Sequence, residues 1–445
     1  MPHPTHYPVT FWTTSGKIIL QIFLGLAPLF LVTIRSWSSA VLILGSFLCL
    51  LYLLCQKCGL LSDFNANLTF KPVIVFTLLG PACAIAFSSM LRGKHVWPDY
   101  DSASRFLVAI AIFLFAIRER INIAKYLQYT APSSLTLTLL HQLYFPQPKV
   151  WGPYRMSTYF ADPLVFGYTS LTLGLISLIS INLLTKDSKP MVTFKLLGTT
   201  IGFYLSVMSE SRTGWLAVPF VITIWLYQQK RFKDNGTRFN LWAVGLIMVL
   251  GLGLLAFSST GHQRWTLAFQ ELLDYSWVGI APDTSIGRRI TFLRIAFDMF
   301  RNNPIMGFGD TSNKLISLPP HIFAYAPKES LKIALTSGFH NEIVTNTIRF
   351  GIAGMVSTVM LFAIPLGVFV HQLRSASRVQ QANSLIGVVF TLCVFISSLS
   401  TEVFDLKYMA SFYALMIALL CASAIAAHEP KPLSHFAGSS AESNK

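Results

Sequence analysis

The sequence predicts an all-α polytopic membrane protein of about 12 transmembrane helices, and three observations carry this prediction. Hydrophobic residues make up 53% of the 445 residues, charged residues only 12%, and the mean hydropathy is +0.56. A soluble protein of this length needs far more surface charge. The apolar residues also fall in runs near the length that crosses a hydrocarbon core of ~30 Å. A single long segment of mixed polarity, residues 258–340, divides these runs into an N-terminal and a C-terminal group.

Apolar runs that fit a membrane span recur along the whole chain, which predicts a single transmembrane domain over residues 1–445. The runs are 17–35, 37–56, 71–91, 104–118, 162–184, 191–208, 213–229, 239–258, 341–372, 381–400 and 407–427. The more polar stretch 126–145 is a weaker twelfth candidate. No A-x-A cleavage site follows the first run, so we expect a retained helix rather than a signal peptide.

The distribution of basic residues predicts the orientation of the spans. With twelve spans, most basic loop residues share one side, which the positive-inside rule assigns to the cytoplasm together with both termini. These residues are Arg118, Arg120, Lys125, Lys186, Lys189, Lys230, Arg231, Lys233, Arg238, Arg374 and Arg378. The loops on the other, extracytoplasmic side are 92–104, 146–161, 209–212, 258–340 and 401–406. The net charge of +15 is scattered among short loops, so no nucleic-acid partner is expected.

The segment 258–340 is predicted to be a long extracytoplasmic loop between helices 9 and 10 that contains short helices. Irregular loops of this length are uncommon unless they are functional. Its stretch 288–304, "RRITFLRIAFDMFRNNP", has apolar residues at helical spacing and a stop at Asn303-Pro304. A helix lying in the membrane interface would suit this pattern.

Arg212 lies between two apolar runs, in the tight connection "VMSESRTGWLAV" at residues 207–218. One interpretation is an interfacial arginine that reaches lipid headgroups. The other is an anion clamp, because a guanidinium donates two parallel hydrogen bonds to phosphate oxygens. In that case Ser209 or Ser211 caps and orients the arginine.

Arg288 and Arg289 follow a flexible Ser-Ile-Gly at the predicted start of a helix. Backbone N–H groups, the helix dipole and the guanidinium groups favour a phosphate at such a place, although a solvated or headgroup-facing pair fits equally. The glycine-rich run "PIMGFGD" at 304–310 lacks the Lys-Ser/Thr of a phosphate loop and a preceding strand, so it is interpreted as a turn.

His340 directly precedes a long apolar run on the predicted outer face, and Asn341 follows it. A histidine titrates near neutral pH and can accept a proton from a hydroxyl group, whereas the simpler interpretation of the pair is a helix cap. Arg349 follows nine residues later, ~13 Å along a helix. A buried arginine at that depth needs a partner or a polar cavity.

Other polar residues carry weaker signals. Asp99 and Asp101 have the spacing that holds a divalent metal in some glycosyltransferases, but no further carboxylate cluster lies nearby in sequence. Arg155 is a possible additional anion contact. Cys55 and Cys58 form an isolated CxxC that is interpreted as two thiols at a helix end. The histidines lack ligand spacing, so no metal site and no cofactor are expected.

Three motifs in fixed order together resemble one family. "SESRTGWLA", "SIGRR" continuing to "IAFDMFRNNPIMGFGD", and "FHNEIVTNTIRFGIAG" resemble the O-antigen ligase (WaaL) and Wzy-type polymerase superfamily, over roughly residues 150–360 by motif and over the whole chain by topology. The resemblance implies a GT-C-like fold in the bacterial inner membrane. It also implies a catalytic base at His340 and pyrophosphate ligands at Arg212 and at Arg288 or Arg289. The Gly-Arg junction favours Arg288, whereas the spacing to Ala296 favours Arg289; Arg288 is preferred.

The resemblance implies a metal-independent, inverting transfer of O-antigen from undecaprenyl pyrophosphate to a hydroxyl of lipid A–core at the periplasmic face. Arg155, Asn341, Arg349, Ser211 and the second arginine of the Arg288–Arg289 pair are then expected to contact substrate. The alternatives are a polymerase or a protein O-oligosaccharyltransferase of the same superfamily, a lipid-linked glycan transporter, or a structural membrane protein. A transporter usually shows related halves, and no internal repeat is present.

Overall fold

The computed structural model describes residues 14–55, 70–145, 151, 155–211, 213–231, 267, 269–310 and 318–426. Several predicted features lie outside these residues. They are Arg212, the span 239–258, the basic cluster 233–238, Cys58, parts of the segment 258–340 and both termini. The described residues are helical, with no β-strand among them.

The helices follow the predicted apolar runs closely. They are α1 (Thr14–Gly25), α2 (Trp37–Cys55), α3 (Phe70–Leu91), α4 (Tyr100–Arg118), α5 (Ala124–Tyr144), α6 (Pro163–Ile179), α7 (Lys189–Met208), α8 (Val218–Arg231), α9 (Ser285–Asn302), α10 (Lys328–Ser337), α11 (Glu342–Gln372), α12 (Arg378–Ser398) and α13 (Lys407–Ile425). Short 3-10 turns lie at Trp97–Asp99, Thr213–Ala217 and Pro320–Ala324.

Within the described residues, seven helices are long and apolar enough to cross a membrane: α2, α3, α4 with the preceding 3-10 turn, α7, α11, α12 and α13. Shorter apolar helices lie at Gly16–Gly25, Pro163–Ile179 and Thr213–Gln228. The prediction of an all-α polytopic membrane protein is therefore confirmed. The polar stretch 126–145 is helical, as α5, but it is not one of the seven, and twelve spans remain a prediction.

The first predicted span, 17–35, was wrong as a continuous helix. α1 ends at Gly25, and turns continue to Ser36, which has a positive φ of 61°. Pro28 explains the end of α1, because proline has no backbone N–H and its ring collides with the carbonyl group four residues earlier. The carbonyl of Pro28 instead accepts a hydrogen bond from Ser134 in α5 (2.7 Å).

α13 is the most enclosed helix of the bundle, with 94% of its apolar window buried. It packs against α2, α4, α11 and α12. A ring cluster fixes these contacts: Tyr413 of α13 lies 5.6 Å from Phe390 of α12 and 5.4 Å from Phe362 of α11. The connection 399–406, which leads into α13, is therefore held in place from several sides.

The ends of the helices form two separate polar regions. At one end, Lys195 of α7 bonds to Asp187 and to the Ser180 carbonyl, both at 2.7 Å. At the other end, which we call the His340 end, the starts of α4, α6, α11 and α13 meet the turn 209–211 and the connection 399–406. Contacts across the His340 end include Lys407–Asp101, Asn341–Leu399 (3.5 Å) and Phe160–Tyr408 (ring centroids 5.3 Å apart).

The segment between α8 and α11 has its own small core. Buried residues of α9 pack with residues of the 3-10 turn, α10 and the first turns of α11: Phe292, Ile295, Met299, Ile322, Tyr325, Leu331, Phe339 and Ile348. α9 ends at Asn302 with Asn303 as its cap, as the Asn-Pro stop predicted. The buried face of this amphipathic helix thus covers protein, and only its opposite face, with Leu293 and Phe297, is exposed.

The predicted span 341–372 is broken at Gly351, which has a φ of 65° and a ψ of −155°. The backbone groups released by this break are bonded by the run 304–310. Phe308 and Gly309 donate to the carbonyls of Ile348 (2.9 Å) and Arg349 (2.7 Å), and the Ile352 N–H donates to the Pro304 carbonyl (2.9 Å). The glycine-rich run is therefore more than a turn, because it holds the broken helix.

Replacing Gly351 with alanine is expected to destabilise the protein strongly. A positive φ costs a side chain on the order of 1–3 kcal/mol, and the added Cβ would overlap the Ile305 carbonyl. The measurement is thermal unfolding of the purified protein in detergent. The matched control is Gly367→Ala in the same helix, where a Cβ meets nothing within 4 Å. Equal melting temperatures for the two variants would contradict this account of the break.

Candidate active site

His340 lies in a strained connection between α10 and α11. Its φ is 51°, and that of Gly338 two residues earlier is 97°. A positive φ is uncommon for residues other than glycine, and such strain concentrates at functional sites. The connection is held against the first turn of α11, because the Phe339 N–H donates to the Thr345 hydroxyl at 3.0 Å. The imidazole is 35% exposed, so a substrate can reach it.

Glu402, in the connection between α12 and α13, holds one side of the imidazole. The His340 Nδ1 lies 3.4 Å from Glu402 Oε2, and the other oxygen, Oε1, accepts a hydrogen bond from the Thr345 hydroxyl at 3.0 Å. The Glu402 side chain is only 6% exposed. Gly338 permits this approach, because a Cβ there would lie 2.5 Å from Glu402 Oε1.

This arrangement would allow His340 to act as a general base, the role that remains a prediction from the sequence. When Nδ1 carries the proton and faces Glu402, Nε2 keeps its lone pair for a substrate proton. The distance of 3.4 Å is long for a hydrogen bond, as is common for catalytic pairs without substrate. The ring of Phe292 packs edge-on against the imidazole, with 5.2 Å between centroids.

Arg288 and Arg289 lie on α9 within one turn of that phenylalanine, four and three residues before it. The Arg288 Nε donates to Asp283 Oδ1 at 3.0 Å, and this hydrogen bond lowers the pKa of Asp283 below its usual value. The terminal nitrogens of Arg288 thus stay available for an anion. Arg289 is exposed and has no ion-pair partner within the part of the chain that the structure describes.

The N-terminus of α9 itself differs from the expected anion site. The Gly287 N–H donates to the side chain of the cap residue Thr284 (3.1 Å), and the Ile286 N–H donates to Glu271 (3.0 Å). A carboxylate of the protein therefore occupies the position where the sequence suggested a phosphate. Any anion binding here depends on the two guanidinium groups.

The turn between α7 and α8 contacts Arg155. The Arg155 Nε donates to the Ser209 carbonyl (3.3 Å) and lies 3.8 Å from Glu210. Ser211 is buried, and its hydroxyl donates to the Leu164 carbonyl of α6 at 3.2 Å. This hydroxyl therefore shapes the turn, while Arg212, the next residue, lies outside the described residues.

Asn341 and Arg349 make mainly structural contacts. The Asn341 side-chain oxygen caps α11 by accepting the Val344 N–H at 3.1 Å. Arg349 has the partner that a buried arginine needs: its Nη1 donates to Asp405 Oδ1 at 2.6 Å. The break of α11 at Gly351 lies two residues beyond Arg349, so the depth of ~13 Å along the helix stays a prediction.

The sequence analysis did not identify Glu402 and Asp405. Both lie in the short connection "STEVFDLK", between two apolar runs. His340 was selected because it is a polar residue at the end of an apolar run. Glu402 and Asp405 also lie at the ends of apolar runs, so the same feature could have identified them.

The Asp99–Asp101 pair is engaged with cations. Asp101 bonds to Arg105 at 3.0 Å and to Lys407, and Asp99 lies 3.9 Å from Arg92. Among the described residues, no group of three or more His, Cys, Asp or Glu side chains has the arrangement of a metal site. The expectation of metal-free chemistry stays a prediction.

Replacing Glu402 with glutamine is expected to lower kcat about tenfold to a hundredfold, which is part of the 10²–10⁴ that a general base contributes. KM for donor and acceptor should stay unchanged, because in our account Glu402 acts through His340 and touches no substrate. Steady-state kinetics of glycan transfer measures both constants. The control is Glu329→Gln, which makes the same replacement of a carboxylate by a carboxamide at an exposed residue of α10. An unchanged kcat in Glu402→Gln would contradict the positioning role.

The chain is similar to known proteins in two comparisons. A protein of Haemophilus influenzae (strain Rd), itself uncharacterised, is 21% identical over 341 residues, which cover 73% of this chain and 81% of the relative. Residues 197–359 match the family model described as O-antigen ligase. The matched segment includes Arg212, Arg288, Arg289 and His340. This match covers less than half of the chain and supports its membership of the O-antigen ligase family.

Proposed function

We propose that the protein transfers O-antigen polysaccharide from undecaprenyl pyrophosphate to a sugar hydroxyl of lipid A–core, which completes lipopolysaccharide. The reaction takes place on the periplasmic side of the bacterial inner membrane, with both termini in the cytoplasm. The observation that carries the proposal is the geometry around Phe292. This side chain links His340, held by Glu402, to the turn of α9 that bears Arg288 and Arg289. The proximity of His340 to the segment bearing the two arginines supports a base beside a diphosphate site.

The proposed reaction is a single inverting displacement. The His340 Nε2 removes the proton from an acceptor hydroxyl, whose oxygen attacks the anomeric carbon of the donor. The bond between that carbon and the diphosphate oxygen breaks, and its electron pair leaves with undecaprenyl pyrophosphate. Arg212 and Arg288, assisted by Arg289 and Arg155, stabilise the charge that develops on this leaving group. The donor is already activated, so the mechanism needs no nucleotide and no metal.

Arg288→Ala is expected to lower transfer about 100-fold or more, the usual cost of removing one donor to a developing charge. Arg289→Ala should cost less, because Asp283 fixes the guanidinium of Arg288 but not that of Arg289. Initial rates with saturating acceptor compare the two variants, and Arg301→Ala, at the exposed end of α9, is the control. A larger loss in Arg289→Ala than in Arg288→Ala would reverse the assignment.

The acceptor is tested by supplying purified protein with donor and one acceptor at a time. The acceptors are lipid A–core, a second lipid-linked repeat unit, and a peptide acceptor. We expect transfer to lipid A–core alone. Extension of the lipid-linked glycan would identify a polymerase, and glycosylated peptide would identify a protein O-oligosaccharyltransferase; either result would overturn the proposed acceptor.

A further inference from the structure

A cavity of about 320 Å³ lies at the His340 end, outside the residues used so far for catalysis. Its walls come from α3, the start of α4, both sides of the α11 break, and the connection 399–406. Such a volume is at the small end of ligand pockets, which span about 300–1,000 Å³. It suits one sugar ring better than a lipid or an oligosaccharide.

The cavity adjoins the His340 site through shared backbone. Glu342 and Phe404 line it, and each is two residues from a member of the His340–Glu402 pair. Two residues span at most ~7 Å of extended chain. The two segments are joined by a hydrogen bond from the Phe404 N–H to Glu342 Oε2 (2.8 Å). A ring bound in the cavity is therefore close to the proposed base.

The charges around the cavity disfavour a phosphate. Its lining carries five carboxylates and two cations, Arg349 and Lys407, which are already bonded to Asp405 and Asp101. Arg92 and Arg105 approach Asp99 and Asp101 from beyond the lining, so each of these four cations already faces a carboxylate. An incoming phosphate would therefore have to displace one of these carboxylates from its cation.

The same lining suits hydroxyl groups. Carboxylates accept hydrogen bonds from hydroxyls, while Arg349, Lys407 and Asn346 donate them. The Arg349 Nε is buried and has no hydrogen-bond partner within the described part of the chain, which leaves it for a ligand oxygen. Apolar walls from Phe106, Phe350 and Phe404 offer contacts for the C–H faces of a sugar ring.

We propose that this cavity binds one unphosphorylated sugar ring, neutral or amine-bearing, of the acceptor. The role as an acceptor subsite rests on the proposed function. The binding chemistry follows from the cavity alone: carboxylates accept hydrogen bonds from hydroxyl or ammonium groups, and the pairing of the nearby cations with carboxylates disfavours phosphorylated and acidic rings. Diphosphate and acceptor sugar then occupy separate places, one basic and one acidic, on either side of the His340 connection.

Saturation-transfer NMR on the full-length protein in detergent tests the proposal, with glucose, galactose, glucosamine and glucose 6-phosphate as probes. We expect signals from the three unphosphorylated sugars and a signal about tenfold weaker, or absent, from glucose 6-phosphate. Asp405→Asn should weaken binding of the unphosphorylated sugars about tenfold, the effect of losing ~1.4 kcal/mol. Asp101→Asn should weaken binding of these sugars to the same extent. This substitution puts folding at less risk, because Asp101 is partly exposed at the rim of the cavity. Asp274→Asn, an exposed carboxylate outside the lining, is the control.

Equal or stronger binding of glucose 6-phosphate would overturn the proposal. Binding that is insensitive to both Asp405→Asn and Asp101→Asn, or no signal from any of the four sugars, would also overturn it. The readout requires no glycan transfer, and His340→Ala should retain sugar binding while losing transfer. A failure of the proposed enzymatic function is therefore distinguishable from a failure of this subsite.

Discussion

Replacing His340 with alanine is expected to abolish transfer of O-antigen while the protein still inserts in the membrane. A general base contributes a factor of about 10²–10⁴ to a rate. Among the described side chains, the hydrogen-bond partners of the Glu402 carboxylate are His340 and Thr345, and threonine is not a base that could replace His340. The measurement is lipopolysaccharide from cells that carry only the variant, separated on a gel, with protein abundance measured on the same membranes. Normal O-antigen-capped lipopolysaccharide from His340→Ala would refute the role.

Two further variants separate chemistry from folding at this position. Asparagine tolerates a left-handed backbone better than alanine does, so His340→Asn keeps the strained connection with less disturbance and should still be inactive. His321→Ala is the matched control. That histidine also lies between α9 and α11, is 61% exposed, and pairs with Asp298 at 3.1 Å. It should leave transfer intact.

Replacing Arg212 with alanine is expected to lower transfer about 100-fold or more, because a cation that faces the leaving diphosphate is lost. Arg212→Lys should restore little of the rate, since an ammonium group cannot make two parallel hydrogen bonds to phosphate oxygens. Initial rates of release of undecaprenyl pyrophosphate by purified protein measure both variants. In the described part of this turn, Glu210 has a positive φ of 58°, and the Arg155 Nε donates to the Ser209 carbonyl.

Arg301→Lys is the control for the arginine series, because Arg301 is exposed in the last turn of α9 and contacts the ring face of Phe297. It should behave like the unmodified protein. Unchanged turnover in Arg212→Lys would argue against bidentate contact. Unchanged turnover in Arg212→Ala would remove this residue from the site.

Most helices could be predicted because the membrane imposes a simple rule. A run of about 20 apolar residues has one stable form in hydrocarbon, since every backbone group must be bonded internally. Counting the spans along the chain placed His340 on the same side of the membrane as the turn 209–211 and the connection 401–406. The contacts at the His340 end show that these segments lie at the same end of the helices. The end of α1 and the break of α11 have causes other than the length of an apolar run. Pro28 was a visible signal for the end of α1, whereas the break at Gly351 depends on the distant run 304–310.

The candidate site was only partly predictable, for a related reason. Short motifs predicted that His340, Arg288 and Arg289 face a substrate, and these roles stay predictions. The partner of His340 is Glu402, 62 residues further along the chain, and no local pattern states that the two meet. Likewise, the pairing of Arg349 with Asp405 requires α11 and the connection before α13 to be placed first.

Glycan transfer by purified protein, with no nucleotide and with EDTA present, tests the central claim most directly. The protein is reconstituted in vesicles with O-antigen on undecaprenyl pyrophosphate and with lipid A–core, and both the glycosylated acceptor and the released lipid pyrophosphate are quantified. The account predicts equal amounts of the two products from the unmodified protein and neither product from His340→Ala. Passage of intact lipid-linked glycan across the bilayer without bond cleavage, or transfer that requires an added metal, would contradict it.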